Sequence, residues 1–284
     1  MFLTADLLTG DAALAAIDSV RRACRRTDGA DPLDEAASLR LKHRGLDGIQ
    51  AWVTADGFAL RYDDSLDLVV SPDRRGAGLG QALASAALTA DGPVTAWSHG
   101  DHPAARTLAG RLGATAVREL WVMRRSTAVP LPPLEVPAGV TVTGFRGDVD
   151  VDRLLAVNAA AFASHPEQGA LDRAGLEERM AESWFDPAGL LMARDPDGAL
   201  LGFHWTKRHD EDNGEVYVVG VSPDAQGRGL GRVLTLAGLR HLARTGVAEI
   251  HLYVEADNAP ARAVYEGLGF THSGGDTHVQ YVRP

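Results

Sequence analysis

The 284-residue sequence predicts an α+β fold in which one domain plan, a mainly antiparallel central sheet flanked by helices, is used twice in tandem. Three observations predict it. Short runs rich in β-branched residues alternate with amphipathic segments of helical period. The stretch Ser71-Pro72-Asp73-Arg74-Arg75-Gly76-Ala77-Gly78-Leu79-Gly80 returns 151 positions later as Ser222-Pro223-Asp224-Ala225-Gln226-Gly227-Arg228-Gly229-Leu230-Gly231, with seven of ten residues unchanged. A second stretch, Asp101 to Gly113, returns as Asp257 to Gly269 at an offset of 156, keeping Asp, Ala, Arg, Leu and Gly. Order and spacing recur together, as a duplication requires.

Between the copies, Val129-Pro130-Leu131-Pro132-Pro133-Leu134-Glu135-Val136-Pro137 reads as a semi-rigid extended linker. The expected domains are therefore 1–128 and 138–284, joined by 129–137. In the first copy, residues 9–27 carry apolar positions at Leu14, Ile17, Val20 and Ala23, and a second helix runs from Leu33 to Arg44. Strands are expected at Ile49 to Thr54, Phe58 to Tyr62 and Leu66 to Ser71, with a helix at Gln81 to Leu88 after the repeated stretch. In the second copy the order is strand (Val140 to Phe145), helix (Val151 to Phe162), loop (Ala163 to Gly169) and helix (Asp172 to Ala181). Strands at Leu190 to Arg194, Leu200 to Lys207 and Glu215 to Val221 follow, then the second glycine loop and its helix. A strand (Glu249 to Glu255), a helix (Asn258 to Leu268) and a closing strand pair around Gly274-Gly275 complete the copy.

A net charge of −10 argues against nucleic acid, whose phosphates need a basic face. No apolar run approaches the roughly 18 residues of a membrane span, and the start lacks a secretory pattern, so a cytoplasmic monomer is expected. Cys24 is the single cysteine, which excludes an intrachain disulfide and a thiolate cage. With Arg22, Arg25 and Arg26 around it, it reads as a filler position on a helix rather than an activated nucleophile. The ten histidines show no metal-ligand spacing and no metal is expected; of them only His102 and His251 fall near the repeated motifs.

The glycine stretch carries the first chemistry. A strand enters it, a helix leaves it, and glycines at 227, 229 and 231 let the backbone turn its N–H groups toward an anion on the helix N-terminus. Arg228 and Arg232 add positive charge. It is neither a Walker loop nor a dinucleotide G-x-G-x-x-G. A lone copy would be read equally well as a tight turn, but its recurrence favours phosphate binding.

At these residues the chain resembles the GNAT family of N-acetyltransferases, whose signature Gln/Arg-x-x-Gly-x-Gly/Ala stands here as Gln226 to Gly231 and as Arg75 to Gly80. The resemblance implies acetyl-CoA as co-substrate, with one site in each domain. It sets Val219, Gly220 and Val221 against pantetheine and Gln226, Gly227, Arg228, Gly229, Leu230, Gly231 and Arg232 around the pyrophosphate. In the first copy Leu68, Val69 and Val70 with Gly76, Ala77, Gly78, Leu79, Gly80 and Gln81 correspond. The second family motif stands as Asn258-Ala259-Pro260-Ala261-Arg262-Ala263, followed by Tyr265, which the family places near the CoA sulfur.

Further matches run over nearly the whole chain: Phe203 to Lys207, Gly214 to Val221, His165 to Gly169 and Leu252 to Asn258 resemble the mycothiol synthases, a tandem branch of the GNATs. That resemblance implies acetylation of the cysteinyl amine of a small thiol pseudo-disaccharide, cysteinyl-glucosaminyl-inositol. It assigns Glu35, Glu167, Lys207, Glu215 and Tyr253 to the acceptor pocket.

Acetyl transfer to an amine needs a proton acceptor, an oxyanion donor and a proton for the departing thiolate. Glu215 is the expected base, Tyr265 the expected acid, and backbone N–H around Val221 the expected donor. Glu215 could instead be a solvated strand-end carboxylate, and Tyr265 a core tyrosine. The first copy has Ala109 where the second has Tyr265, His102 for Asn258 and Asp64 for Glu215, so no turnover is expected there. Acetylation of another small amine such as an aminoglycoside, or acyl-CoA binding without catalysis, are the rival readings.

Overall fold

A computed structural model describes residues 7–29, 31–88, 92–163 and 168–284. The chain divides into two compact units, residues 1–120 with 274–284 and residues 121–273. Both are α+β, as expected.

In the first unit, α1 (Gly10–Asp28) and α2 (Glu35–Arg44) precede a hairpin series, β1 (Gln50–Thr54), β2 (Gly57–Tyr62) and β3 (Ser65–Val70). The apolar stripe of α1 is Ala13, Ile17, Val20 and Cys24, one position off the expected Leu14 and Ala23 at its ends. It packs with Val53, Phe58 and Leu60 against one sheet face, burying Cys24 as packing. On the other face α3 (Leu79–Ala87) sets Leu83 and Ala87 against Ala59 and Leu66. Then come β4 (Val94–Ser98) and α4 (Pro103–Arg111), which the sequence reading left unassigned, and β5 (Thr115–Ser126), which ends in the second unit. β1, β2 and β3 pair antiparallel, while β3 meets β4 in parallel at Ser65 and Thr95.

The expected closing strand pair at Gly274-Gly275 is a single strand, β11 (Thr271–Arg283). Its last residues belong to the first unit, where Val279 to Arg283 pair antiparallel with Val94 to Ser98 of β4. Two glycines in sequence suggested a turn, but extended backbone is open to glycine too, and the partner strand lies far back in the chain.

The second unit contains β6 (Thr141–Gly144), α5 (Asp148–Ala161), α6 (Arg173–Met180), β7 (Leu190–Arg194), β8 (Leu200–Arg208) and β9 (Asn213–Val221). After them come α7 (Leu230–Arg244), β10 (Glu249–Glu255) and α8 (Ala259–Glu266). β6 to β9 pair antiparallel in sequence order, and β9 then pairs parallel with β10. The proline stretch packs within this unit. Leu131 and Leu134 lie on the core formed by Leu239, Ile250 and Phe270, and the Arg240 guanidinium donates to the Pro132 carbonyl at 2.8 Å.

α7 is buried almost all round, and one glycine sets how close it comes to the sheet. At Gly238 an added Cβ would fall inside the ring of His204 on β8. That ring is fully buried, and its Nδ1 meets the Leu234 carbonyl of α7 at 2.8 Å, so it has no room to withdraw. Gly238→Ala gains about 1 kcal/mol of helix propensity. Overpacking costs about 1–3 kcal/mol or more and wins. The expected result is a net loss of about 2 kcal/mol in urea unfolding, whereas a stabilised variant would mean that the helix shifts freely on the sheet.

Candidate active site

The two glycine stretches share backbone geometry as well as sequence. Each begins at a serine with φ −51° and ψ 136°, passes a single 3₁₀ turn (Pro72–Arg74 or Pro223–Ala225), and ends at a left-handed glycine that starts the helix. That glycine is Gly78, at φ 89°, or Gly229, at φ 73°; Gly76 and Gly227 before them are left-handed too. Such φ values exclude most side chains, which explains two of the repeated identities. Neither helix start has a side-chain cap, so its first amides are left for another partner. α4 and α8, by contrast, are capped by the side chains of His102 and Asn258. No atom lies within 4 Å of where a Cβ would stand at Gly227, Gly229 or Gly231, so the second loop has an open outer face. Gln226, Arg228 and Arg232 are exposed around it.

The strand that feeds this loop is split along its length. β9 and β10 are in register only from Asn213 with Glu249 to Val216 with Leu252, although β9 runs on to Val221. The parting coincides with a bulge, where Trp205 faces Val218 but Thr206 faces Val216, leaving Tyr217 as the extra residue. A bulge bends its strand and raises the local twist. Residues 217–221, including Val219, Gly220 and Val221, thus keep β8 on one side and lose β10 on the other. No sequence pattern announced the bulge.

Glu215 sits just before the parting, opposite His251 of β10 and Lys207 of β8. It is buried, 6% exposed. Its Oε2 lies 2.6 Å from Nε2 of His209 and 3.9 Å from Nε2 of His251. Burial pushes the carboxyl up, but the His209 hydrogen bond and the charges of His251, His209 and Lys207 outweigh it and hold the group below its ordinary value. Burial conversely pushes His251 down toward the neutral form, against the pull of Glu215. The side-chain nitrogen and oxygen atoms of His209, Glu215 and His251 lie within 4.8 Å of one another, with His209 and Glu215 in direct contact at 2.6 Å. His209 was missed by sequence reasoning. The hairpin that reverses at residues 210–212 brings it back beside β9, where its N–H donates to the Asn213 carbonyl.

The other expected acceptor residues fall as follows. Lys207 is 9% exposed, its Nζ 4.7 Å from the Trp184 ring centre and 5.1 Å from that of Tyr217. Tyr253 follows His251 by two on the same face of β10 and is exposed. Glu35 opens α2 in the first unit, half-buried. Glu167 lies outside the described residues. A cavity of about 150 Å³ in the second unit is lined by Gln168, Asp172, Arg179, Trp205 and Tyr217, with hydrogen-bonding groups on most sides.

Tyr265 is on α8, partly buried against the core beside Phe270 at 6.0 Å between ring centres. Burial pushes its phenol up to about 12, so it is protonated at neutral pH. Ala259, Pro260 and Ala261 form the first turn of α8, with Asn258 accepting from the Ala261 N–H. The Arg262 guanidinium lies over the Trp121 ring at 4.4 Å and donates to the Ala256 carbonyl.

In the first unit the corresponding ground is differently furnished. Arg75, where the second copy has Gln226, pairs with Asp28 at 2.5 Å, donates to the Val70 carbonyl at 3.2 Å and meets Nε2 of His102 at 3.1 Å. Val69 is buried in the core, with Leu68 and Val70 partly so. Gly76, Ala77 and Gly78 are exposed, and Leu79, Gly80 and Gln81 make the first turn of α3. Asp64 lies exposed in the turn before β3, with nothing like the enclosure around Glu215.

Residues 157–270 match the acetyltransferase (GNAT) family. The backbone is similar over 97% of the chain to a GCN5-related N-acetyltransferase from Sphaerobacter thermophilus, covering 93% of it at TM-score 0.72 and 24% identity. A tandem GNAT protein of the clavulanic acid biosynthesis pathway gives TM-score 0.71 at 18% identity over 97% of this chain and 95% of its own. Both are likenesses of fold. Sequence goes further: the mycothiol acetyltransferase of a Nocardioides species is 57% identical over 95% of this chain and 97% of its own length. Among the described residues no helix is long and apolar enough to cross a membrane. Identity at that level across both copies, not only over the matched GNAT segment, makes this chain an acetyltransferase that belongs to the mycothiol acetyltransferase family.

Proposed function

We propose that the second unit transfers the acetyl group of acetyl-CoA to the cysteinyl amine of cysteinyl-glucosaminyl-inositol, completing mycothiol. The observation that carries this reading is the parting of β9 from β10 at the bulge, directly beside Glu215 and upstream of an uncapped glycine helix start. An extended pantetheine arm fits the edge of Val219 to Val221 that β10 leaves bare, because it can take up strand-like hydrogen bonds there. Its pyrophosphate then reaches the amides of Gly229, Leu230 and Gly231 and the charges of Arg228 and Arg232.

Glu215 takes the proton of the acceptor amine as nitrogen bonds to the thioester carbonyl carbon. Backbone N–H groups of the unpaired segment, toward Val221, hold the oxygen as it gains charge. Tyr265, protonated at neutral pH, gives its hydrogen to the sulfur as the C–S bond breaks. Lys207, Tyr253 and the polar cavity beside Tyr217 supply donors and acceptors for a hydroxyl-rich acceptor, which offers no strong charge of its own. Catalysis is assigned to the second unit alone, since the first has Ala109 and the exposed Asp64 at the two reacting positions.

Mass-spectrometric turnover with acetyl-CoA and three acceptors in parallel tests the reading. Acetylation of cysteinyl-glucosaminyl-inositol, with an aminoglycoside and a short peptide left unchanged, is expected. Preferential acetylation of either alternative would keep the cofactor and discard the acceptor assignment.

A further inference from the structure

We propose that His209, Glu215 and His251 form a binding site for a divalent transition-metal ion of the zinc class, and that an ion held there inhibits acetylation reversibly by engaging the carboxylate that takes the amine's proton. Inhibition rests on the reading of Glu215 as the base; binding does not depend on it.

Two imidazoles and a carboxylate converge from three places in the fold, the end of the β8–β9 hairpin, β9 and β10. Their spacing in the sequence matches no linear metal motif, because only the folded sheet brings them together. Two histidines and a glutamate, with a further position for water, are a donor set that suits zinc. Bonds of about 2.0–2.2 Å to nitrogen and oxygen put tetrahedral ligand atoms about 3.4 Å apart. Here Oε2 of Glu215 is 2.6 Å from Nε2 of His209 and 3.9 Å from Nε2 of His251, and all three ligand atoms fall within 4.8 Å of one another. The two distances straddle the required one, so small side-chain rotations bring the three around one ion while the strands stay paired.

His251 has hydrogen-bonding capacity that the fold leaves unused. Its side chain is 12% exposed, its Nδ1 is buried without a hydrogen-bond partner among the described residues, and its Nε2 stops 3.9 Å from Glu215, too far for a hydrogen bond. Buried polar groups are nearly always hydrogen-bonded, and a bound ion is one reason for an exception. Strand register holds the ring in place, since His251 lies directly opposite Glu215 in the parallel pair of β10 and β9. Nε2 can therefore bond an ion without giving up a hydrogen bond.

His209 supplies access. It lies between β8 and β9, and its side chain is 37% exposed, so an ion and its remaining water reach the cluster from that side. Facing an ionised carboxylate, which only accepts, its Nε2–H is the donor in the ion-free state. On binding, that hydrogen leaves to water, Nε2 bonds the ion through the freed lone pair, and Nδ1 takes one hydrogen from water. A neutral ring thus stays neutral, and nothing is oxidised or reduced. Lys207, opposite Glu215 on β8, adds a like charge that weakens the hold and suits a reversible ion rather than a resident one.

Equilibrium binding of Zn²⁺ and Co²⁺ to the full chain, without acetyl-CoA or acceptor, tests the site. One ion per chain is expected, with the intense visible absorption of four-coordinate Co²⁺, displacement by Zn²⁺, and no competition from an excess of Mg²⁺, which prefers oxygen ligands. His209→Gln and His251→Gln should each raise the Kd for Zn²⁺ at least about 10-fold, the cost of disturbing even an outer partner of a metal ligand. His241→Gln, which alters a separate pair with Asp186, should leave it unchanged. Absence of stoichiometric binding, or binding that survives both site variants, would overturn the site. On the wild-type fold, the ring resonances of His209 and His251 should be the ones that move with added Zn²⁺; movement confined to other histidines would overturn it too. Turnover at free Zn²⁺ fixed by a metal buffer, needed because the acceptor and CoA thiols also bind zinc, tests the inhibition. Saturating the site should lower kcat by about 10² or more, as loss of the base requires, and chelation should restore it. Zinc bound at these residues with kcat unchanged would overturn the inhibition and remove Glu215 as the base, with the site left in place.

Discussion

Glu215→Gln lowers kcat by about 10² to 10⁴, the span a positioned general base supplies, while acetyl-CoA binds as before. The substitution keeps the shape of the side chain and an oxygen to meet His209, but removes the charge that accepts the proton. Glutamine cannot take up a proton at neutral pH, so what survives is the rate at which already neutral amine attacks. Folding should change little, because a buried carboxylate is costly to desolvate and an amide is not. On the proposed reading acetyl-CoA is held by the glycine loop and by the unpaired part of β9, and Glu215 lies at the paired end. A variant with near wild-type kcat would show that the amine loses its proton elsewhere.

Asp150→Ala destabilises the second unit rather than impairing its chemistry. Asp150 is fully buried in the first turn of α5 and receives four hydrogen bonds: the backbone N–H of Arg146 at 2.9 Å, its Nε at 3.2 Å, its Nη2 at 3.0 Å, and Nη2 of Arg194 at 2.6 Å. Arg194, on β7, is itself 4% exposed and also donates to Thr143 of β6. One carboxylate thus ties a helix N-terminus to two strands. Burial raises its carboxyl, and the two arginines more than reverse this, bringing it to about 2. Removing it strands the Arg194 cation in the interior, a loss of about 3–5 kcal/mol. Much of a typical domain's stability is of that size. The pH dependence has a definite sign. A carboxyl depressed in the fold adds stability above its unfolded value near 3.9, and loses it as pH falls toward 2. Wild-type protein should therefore weaken over that interval through this group. Chemical unfolding across it measures both effects, and an Asp150→Ala variant as stable as wild type would contradict the account.

The parts legible in the sequence are those where backbone geometry restricts residue choice. Left-handed glycines before a helix admit few substitutes, so the loops at 76–80 and 227–231 stood out twice and carried the duplication with them. Strands of the second copy were readable because each is apolar and bounded by turn residues. β4, β5 and β11 were not, since a strand's place in a sheet depends on a partner distant in sequence, and β11 pairs with β4 across about 180 residues. The proline stretch reads as a spacer by composition, yet its leucines are buried on a core that only the fold assembles. At the site, Glu215 and Tyr265 were reached through family motifs. His209 carried no signal beyond its place at a hairpin end, and the bulge at Tyr217 none, because a bulge is a property of two strands together. Nor did the second motif announce that the Arg262 guanidinium lies over the Trp121 ring and donates to the Ala256 carbonyl.

The most direct measurement is single-turnover acetylation by the Glu215→Gln/Tyr265→Phe double variant, with the first unit intact and acetyl-CoA binding followed in parallel. The account predicts that acetyl-CoA still binds and that no acetylated cysteinyl product forms on the wild-type timescale. Product formed at the wild-type rate would mean that the chemistry runs without either residue, and would contradict the placing of the active site at the parting of β9 and β10.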